Sequence, residues 1–263
     1  MLAKIGQKFV NLGSSMVAFI KRKLWPMNYF TSIADVYADL NEGDKVLFLI
    51  RHSERTSDTS VTGPLTENGI QYAKDVGAML VGGIADKNDI SLLASEDASG
   101  TGFKRTMQTA YYVMVGRGDD AYSDYTELPH SIELEGSRYC IQKNVSGWED
   151  YSKYAYNEPY QNSYIDVTKD IDAFLLNYLK TTDKTINIMV SHDQLLEIYT
   201  VKKCQEIGKQ DIGLRFWDGA INDGVQERRW ITYLAGMCII KRADGSIEWV
   251  PVRGLSKGYQ TGY

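Results

Sequence analysis

The residues able to do chemistry gather first in VLFLIRHSERTSD, residues 46–58, where an apolar run from Val46 to Ile50 ends in Arg51, His52, Glu54 and Arg55. Guanidinium charges beside an imidazole disfavour its protonation, so they keep a ring nitrogen free to attack near neutral pH. A lone histidine is commonly a hydrogen-bonded structural residue; two arginines around it at the end of an apolar run turn the reading toward catalysis. Two further groups end similar runs. ISLLAS, residues 90–95, leads through a loop to Arg105, and INIMV, residues 186–190, ends in Ser191, His192 and Asp193. Arg105 alone reads as a solvated helix charge and Asp193 alone as a helix cap, although capping and catalysis are compatible. Together, three arginines, two histidines and an aspartate suit a tetrahedral dianion, because arginine offers planar, permanently charged forks matched to phosphate oxygens.

That set supports a definite course of reaction. His52 attacks phosphorus to give a phosphohistidine, which water hydrolyses. Charge spreading over the phosphoryl oxygens is met by Arg51, Arg55, Arg105 and a protonated His192. A carboxylic acid protonates the leaving alcohol and later activates the water. The expected activity is metal-independent hydrolysis of a small phosphorylated substrate, with no cofactor and no metal. A metal hydrolase built on His52, His192 and Asp193 is disfavoured, since three nearby arginines repel a divalent ion. A mutase-like phosphotransferase is the neighbouring reaction; it needs the phosphohistidine shielded until a second acceptor arrives. A catalytically weak module that binds phospho-ligands comes from a different class, and it has no use for His52 or an acid.

These groups meet only on a particular scaffold. The runs at 46–50, 90–95 and 186–190 read as strands buried on both faces, as in a parallel sheet. LTENGIQYAKDVGAML reads as a helix capped by Thr66, with Ile70, Ala73, Val76, Gly77 and Leu80 on one face. FKRTMQTAYYVMV and DVTKDIDAFLLNYLK read as further helices, and ITYLAGMCII, RADG and SIEWVPV as a hairpin closing a sheet edge. Strands alternating with helices predict a three-layer α/β/α sandwich with a mainly parallel central sheet. In open α/β sheets ligands bind outside the carboxyl ends of the strands, which is where all three polar groups fall. Residues 1–44 are expected as a helical or peripheral segment, and 45–263 as one domain. A Tyr-rich excursion at about 138–164 breaks the rhythm and is read either as a lid or as irregular packing.

Bulk properties exclude several classes. The chain has 263 residues, 43% hydrophobic and 24% charged, with a net charge of -5 and no basic surplus for nucleic acid. Cys140, Cys204 and Cys238 match no metal spacing and read as isolated thiols. The first 25 residues are too short and too interrupted by polar residues to span a bilayer, and they lack a small-residue cleavage site. A peripheral helix, no stable membrane insertion and a cytoplasmic location are therefore expected. Oligomeric state is not readable.

Several segments resemble the histidine phosphatase superfamily, the phosphoglycerate mutase-like fold. LIRHSER resembles its strand and Arg-His-Gly signature, LTENGIQYAKDVGAML the Leu-Thr-x-x-Gly helix, TGFKRTMQTA the segment with the second-site arginine, and VSHD the strand with the second histidine. The resemblance runs from about residue 45 to 200. It implies His52 as nucleophile and Arg51, Arg55, Arg105 and His192 as the phosphate pocket. Arg-His-x-x-Arg with His-Asp is similar to the acid phosphatase branch, which puts Asp193 first as proton donor. The mutase branch takes its acid from mid-chain, where Glu133 or Glu135 in SIELEGSR is the nearest match. Ser53 stands where glycine is usual, Ser57 where the acid phosphatase branch has proline, and SEDASG lengthens the loop before Arg105.

Overall fold

The computed structural model describes residues 31–136, 165–208 and 231–253. Residues 1–30, the excursion expected at 138–164 and Cys140 lie outside the described residues.

Strand β1 (Thr31–Ser32) leads into helix α1 (Ile33–Ala38), and β2 spans Lys45–Arg51. Helix α2 (Glu67–Ala78), β3 (Ile90–Ser95), α3 (Lys104–Arg117) and β4 (His130–Ser131) follow, then α4 (Ile165–Thr181), β5 (Ile186–Ser191), α5 (Asp193–Glu206), β6 (Gly236–Lys241) and β7 (Ile247–Arg253). The strands form a seven-stranded sheet in the order β1-β7-β6-β2-β5-β3-β4. β2, β5, β3 and β4 pair in parallel, β6 runs antiparallel to β2 and β7, and β1 pairs in parallel with β7. Among the described strands, only β6 therefore opposes the common direction.

The period of two in β2 divides the core. Val46, Phe48 and Ile50 pack with residues of α1, α2 and α3; Leu47 and Leu49 pack on the other face with Ile171, Leu175 and Leu179 of α4 and Leu195, Leu196 and Tyr199 of α5. Helices on both faces make the chain the three-layer sandwich that the alternation of elements predicts. Each fully buried Leu, Ile or Phe here contributes about 1.5–3 kcal/mol relative to an exposed position. The part of the expected N-terminal segment that is described, 31–44, sends Ile33, Val36 and Tyr37 into this core. Among the described residues no helix is long and apolar enough to cross a membrane.

Parallel β2, β3 and β5 bring their carboxyl ends to one sheet edge, with Arg51 beside Ser191 in the ladder. On the other flank of β2, Ile50 faces Gly236. An ideal Cβ on Gly236 would sit 1.8 Å from the Leu49 carbonyl oxygen, so only glycine lets β6 lie against the end of β2. Gly236→Ala is expected to lower stability by about 1–3 kcal/mol, since the obstructing atom is backbone and cannot swing aside. A lower urea midpoint with unchanged slope checks it.

Candidate active site

The site is assembled where β2 and β5 end. Arg51 is the last residue of β2, and its backbone is gripped on both sides: its N–H donates to Ala235 O at 2.9 Å and its carbonyl accepts from Leu234 N at 3.0 Å. Its side chain is buried. Nη1 donates to Ile231 O at 2.6 Å, Nη2 pairs with Asp193 Oδ2 at 2.8 Å, and the guanidinium lies 4.3 Å from the Tyr233 ring centre. Arg51 is thus a fixed charge rather than a solvated one.

His52 follows, 2% exposed, with its N–H donating to Ser191 O at 2.9 Å. Its Nδ1 lies 2.7 Å from the carbonyl oxygen of Ser53. A carbonyl can only accept, so Nδ1 carries the proton and Nε2 keeps its lone pair. Burial first, then the charges of Arg51, His192 and Arg105, hold the imidazole well below its ordinary pKa. Thr109 of α3 steadies the same turn, accepting from Ser53 N at 2.9 Å while donating to Arg105 O at 2.7 Å.

Arg105 sits in the first turn of α3, the helix that packs closely on α2. Nη1 donates to Ser60 O at 2.8 Å, and the guanidinium lies 4.7 Å from the Phe103 ring centre. Nη2 is 3.4 Å from His192 Nδ1. Burial, and next the like charge of Arg55, lower its pKa to about 10, so it stays charged at neutral pH. The lengthened loop before it closes through a bridge between Glu96 and Gly102, and Arg105 still reaches the pocket. Arg55 lies in the loop after β2, bridged to Leu65, with Nη1 donating to Thr56 O at 2.8 Å. That loop is fixed to α2: Thr66 Oγ1 accepts from Gly69 N at 2.9 Å, donates to Glu54 Oε1 at 2.8 Å, and a Cβ on Gly69 would meet Glu54 O at 2.0 Å. The Leu-Thr-x-x-Gly pattern thereby serves the pocket from outside it.

His192 caps α5 and is buried. Its ring stands edge-on to His52 with centroids 5.4 Å apart and edge-on to Phe103 at 4.5 Å. Nε2 lies 3.0 Å from Ser95 Oγ, at the end of β3. The imidazolium expected at 192 is not the resting form: burial, then Arg105, Arg51 and Arg55, push its pKa well below the ordinary value. A dianion placed among these groups would reverse that balance.

Asp193 is buried at the first position of α5, with Oδ1 accepting from Gln194 N at 2.9 Å and Oδ2 on Arg51. Glu133, in a 3-10 turn after β4, accepts from the Ser131 hydroxyl. Glu135 is buried where the chain meets α5: a Cβ on neighbouring Gly136 would lie 2.9 Å from Leu195 N. His130 is exposed and pairs with Glu96. The structure therefore brings Arg51, His52, Arg105, His192 and Asp193 into direct contact or ring-to-ring proximity, with Arg55 close enough to act electrostatically on Arg105 and His192. Ser95, Phe103 and Tyr233 join them without a sequence signal of their own. Arg51 Nε, Ser53 Oγ and Arg105 Nε are buried with no hydrogen-bond partner among the described residues. Orphaned buried donors are costly, and an oxyanion is the kind of group that would satisfy them.

No family model matches the sequence, and no curated protein matches it. Solved structures do match the chain. The chain is similar to a phosphoserine phosphatase mutant from Entamoeba histolytica in complex with phosphoserine, at 16% identity over 78% of this chain and 94% of that one, with a TM-score of 0.45. It is similar to a phosphoglycerate mutase from Bacillus anthracis, at 13% identity over 81% and 94% with a TM-score of 0.44. A third is the protein histidine phosphatase SixA complexed with tungstate, at 16% identity over 78% and 93% with a TM-score of 0.42. At this degree of likeness the reaction has to be read from the pocket itself.

Proposed function

We propose that this chain is a metal-independent phosphomonoester hydrolase of the histidine phosphatase type, working through a phosphohistidine on His52. The observation that carries the reading is the bond from His52 Nδ1 to the Ser53 carbonyl, which leaves Nε2 with its lone pair in a buried imidazole acted on by the charges of Arg51 and Arg105. Nε2 attacks phosphorus, the bond from phosphorus to the leaving oxygen breaks, and a proton from a carboxylic acid completes the alcohol. Water then attacks phosphorus, the N–P bond breaks, and inorganic phosphate and free His52 are restored. Arg51, Arg55 and Arg105 bind the substrate oxygens and hold the charge that spreads over them. Asp193, Glu133 and Glu135 are the candidate acids. A divalent metal has a poor place here, with His52 Nδ1 committed to Ser53, Asp193 to Arg51, and guanidinium charges on several sides.

The test is release of inorganic phosphate from a panel of phosphomonoesters with EDTA present, across pH. His52 attacks as a neutral imidazole and its pKa lies well below 6.5, so the limb of kcat/KM that belongs to His52 should lie on the acid side, falling as the pH goes down through that lowered value, while any alkaline limb belongs to the carboxylic acid. The substrate's own second ionisation, near about 6, is known for each ester and is divided out. An enzyme limb that remains at ordinary histidine pKa, or no release from any ester, overturns the reading. Transfer to a second acceptor in place of release would mark a mutase.

A further inference from the structure

The ion pair at the head of α5 assigns Asp193 a task that its place after His192 does not suggest. We propose that Asp193 is a positioning residue, which holds the Arg51 guanidinium against the bound phosphoryl group, and that the leaving oxygen takes its proton from another group. The inference rests on the hydrolase reading above and deepens it.

Both carboxylate oxygens are already acceptors. Oδ2 receives Arg51 Nη2 at 2.8 Å and Oδ1 receives the backbone N–H of Gln194 at 2.9 Å. A general acid must instead carry a proton on one oxygen and aim it at the leaving group, so protonating Asp193 would give up one of these contacts. Asp193 is also the first residue of α5, so its carboxylate stands at the end where the helix presents its unpaired N–H groups. Removing it would leave Arg51 buried, 2% exposed, with the Ile231 carbonyl and the Tyr233 face as its side-chain contacts among the described residues. A buried guanidinium deprived of its carboxylate is costly and free to turn. The bidentate reach of arginine is useful to a phosphoryl group only when the plane of the fork is fixed.

Leaving-group dependence separates the two roles. An acid matters greatly for an alkyl phosphate and little for a nitrophenyl phosphate, whose phenolate leaves unaided; a residue that orients Arg51 matters equally for both. Asp193→Asn keeps an oxygen for Arg51 and is close in shape to the native residue. Its kcat/KM should fall by the same factor, under about tenfold, for nitrophenyl and alkyl phosphates, whereas loss of a general acid costs about 10²–10⁴-fold. Selective loss of the alkyl ester by a factor of that size, with the nitrophenyl ester spared, overturns the proposal.

Affinity for inorganic phosphate gives a second arm that needs no turnover. Asn and Ala remove the same charge, so the difference between Asp193→Asn and Asp193→Ala reads orientation alone. The Ala variant should bind phosphate at least about fivefold more weakly than the Asn variant, a difference typical of one lost hydrogen-bond partner. Equal affinities overturn the positioning role. A wild-type protein that hydrolyses neither ester overturns the hydrolase reading instead, and the phosphate arm still decides what Asp193 does for Arg51.

Discussion

His52→Ala is expected to abolish turnover while leaving phosphate binding largely in place. In the proposed mechanism no other described side chain can take over the attack on phosphorus. His192, 5.4 Å away ring to ring, has its Nε2 on Ser95 and its Nδ1 beside Arg105, so neither nitrogen is offered to phosphorus as His52 Nε2 is. Removing a nucleophile that works as part of a set typically costs as much as removing the set, on the order of 10⁴-fold or more in kcat. Binding follows different groups. Arg51, Arg55 and Arg105 keep their charges in the variant, and the polar contacts described for Arg51 and Arg105 go to Ile231, Asp193, Ser60 and His192 rather than to the deleted imidazole. Acid-quench trapping with labelled substrate makes the comparison direct: label should appear on residue 52 of the wild type and be missing from the variant. Turnover that survives in His52→Ala ends the phosphohistidine mechanism. If the wild type never turns over and both proteins hold phosphate equally, the pocket belongs to a binding module.

How much of this was legible in the sequence depends on distance along the chain. β2, β3 and β5 are continuous apolar runs that end in polar residues, and a strand buried on both faces has no other way to look. The Thr66 cap is likewise local: hydroxyl, turn and Gly69 lie within one helical turn. β1 and β4, two residues each, carry no pattern at all, because so short a strand is chosen by the neighbour it pairs with. The contacts that turn the separate groups into a pocket are all non-local. Arg51 reaches Asp193 and Ile231, Ser95 reaches His192, and Tyr233 slides under Arg51 from the turn before β6. Tyr233 in ITYLAGMCII reads as another apolar residue of a hairpin; only the strained turn at Leu234, with φ of 59°, gives it a place beside β2. The protonation state of His192 was beyond reach for the same reason, being set by burial and by arginines remote in sequence.

Arg105→Met should cost about 10²–10³-fold in kcat/KM, the range found when one preorganised donor to a developing oxyanion is lost. The methionine keeps much of the apolar stem against Phe103, so the fold should survive and the loss should be of charge and fork. Arg105→Lys should recover only a small part of it: an ammonium is a point charge and cannot reach Ser60 O while presenting two parallel donors to a phosphoryl oxygen pair. A pH signature tells loss of charge from mere disturbance. Arg105 depresses the pKa of both His52 and His192, so its removal makes each imidazolium less unfavourable and raises both values. Because the reaction needs His52 unprotonated, the acid limb of kcat/KM should move toward neutral pH in Arg105→Met and stay nearer its wild-type position in Arg105→Lys, which restores the charge. A loss of activity in Arg105→Met with no displacement of that limb would mean that Arg105 does not share the electrostatic field of His52, and a loss of only a few fold would remove it from the phosphate pocket altogether.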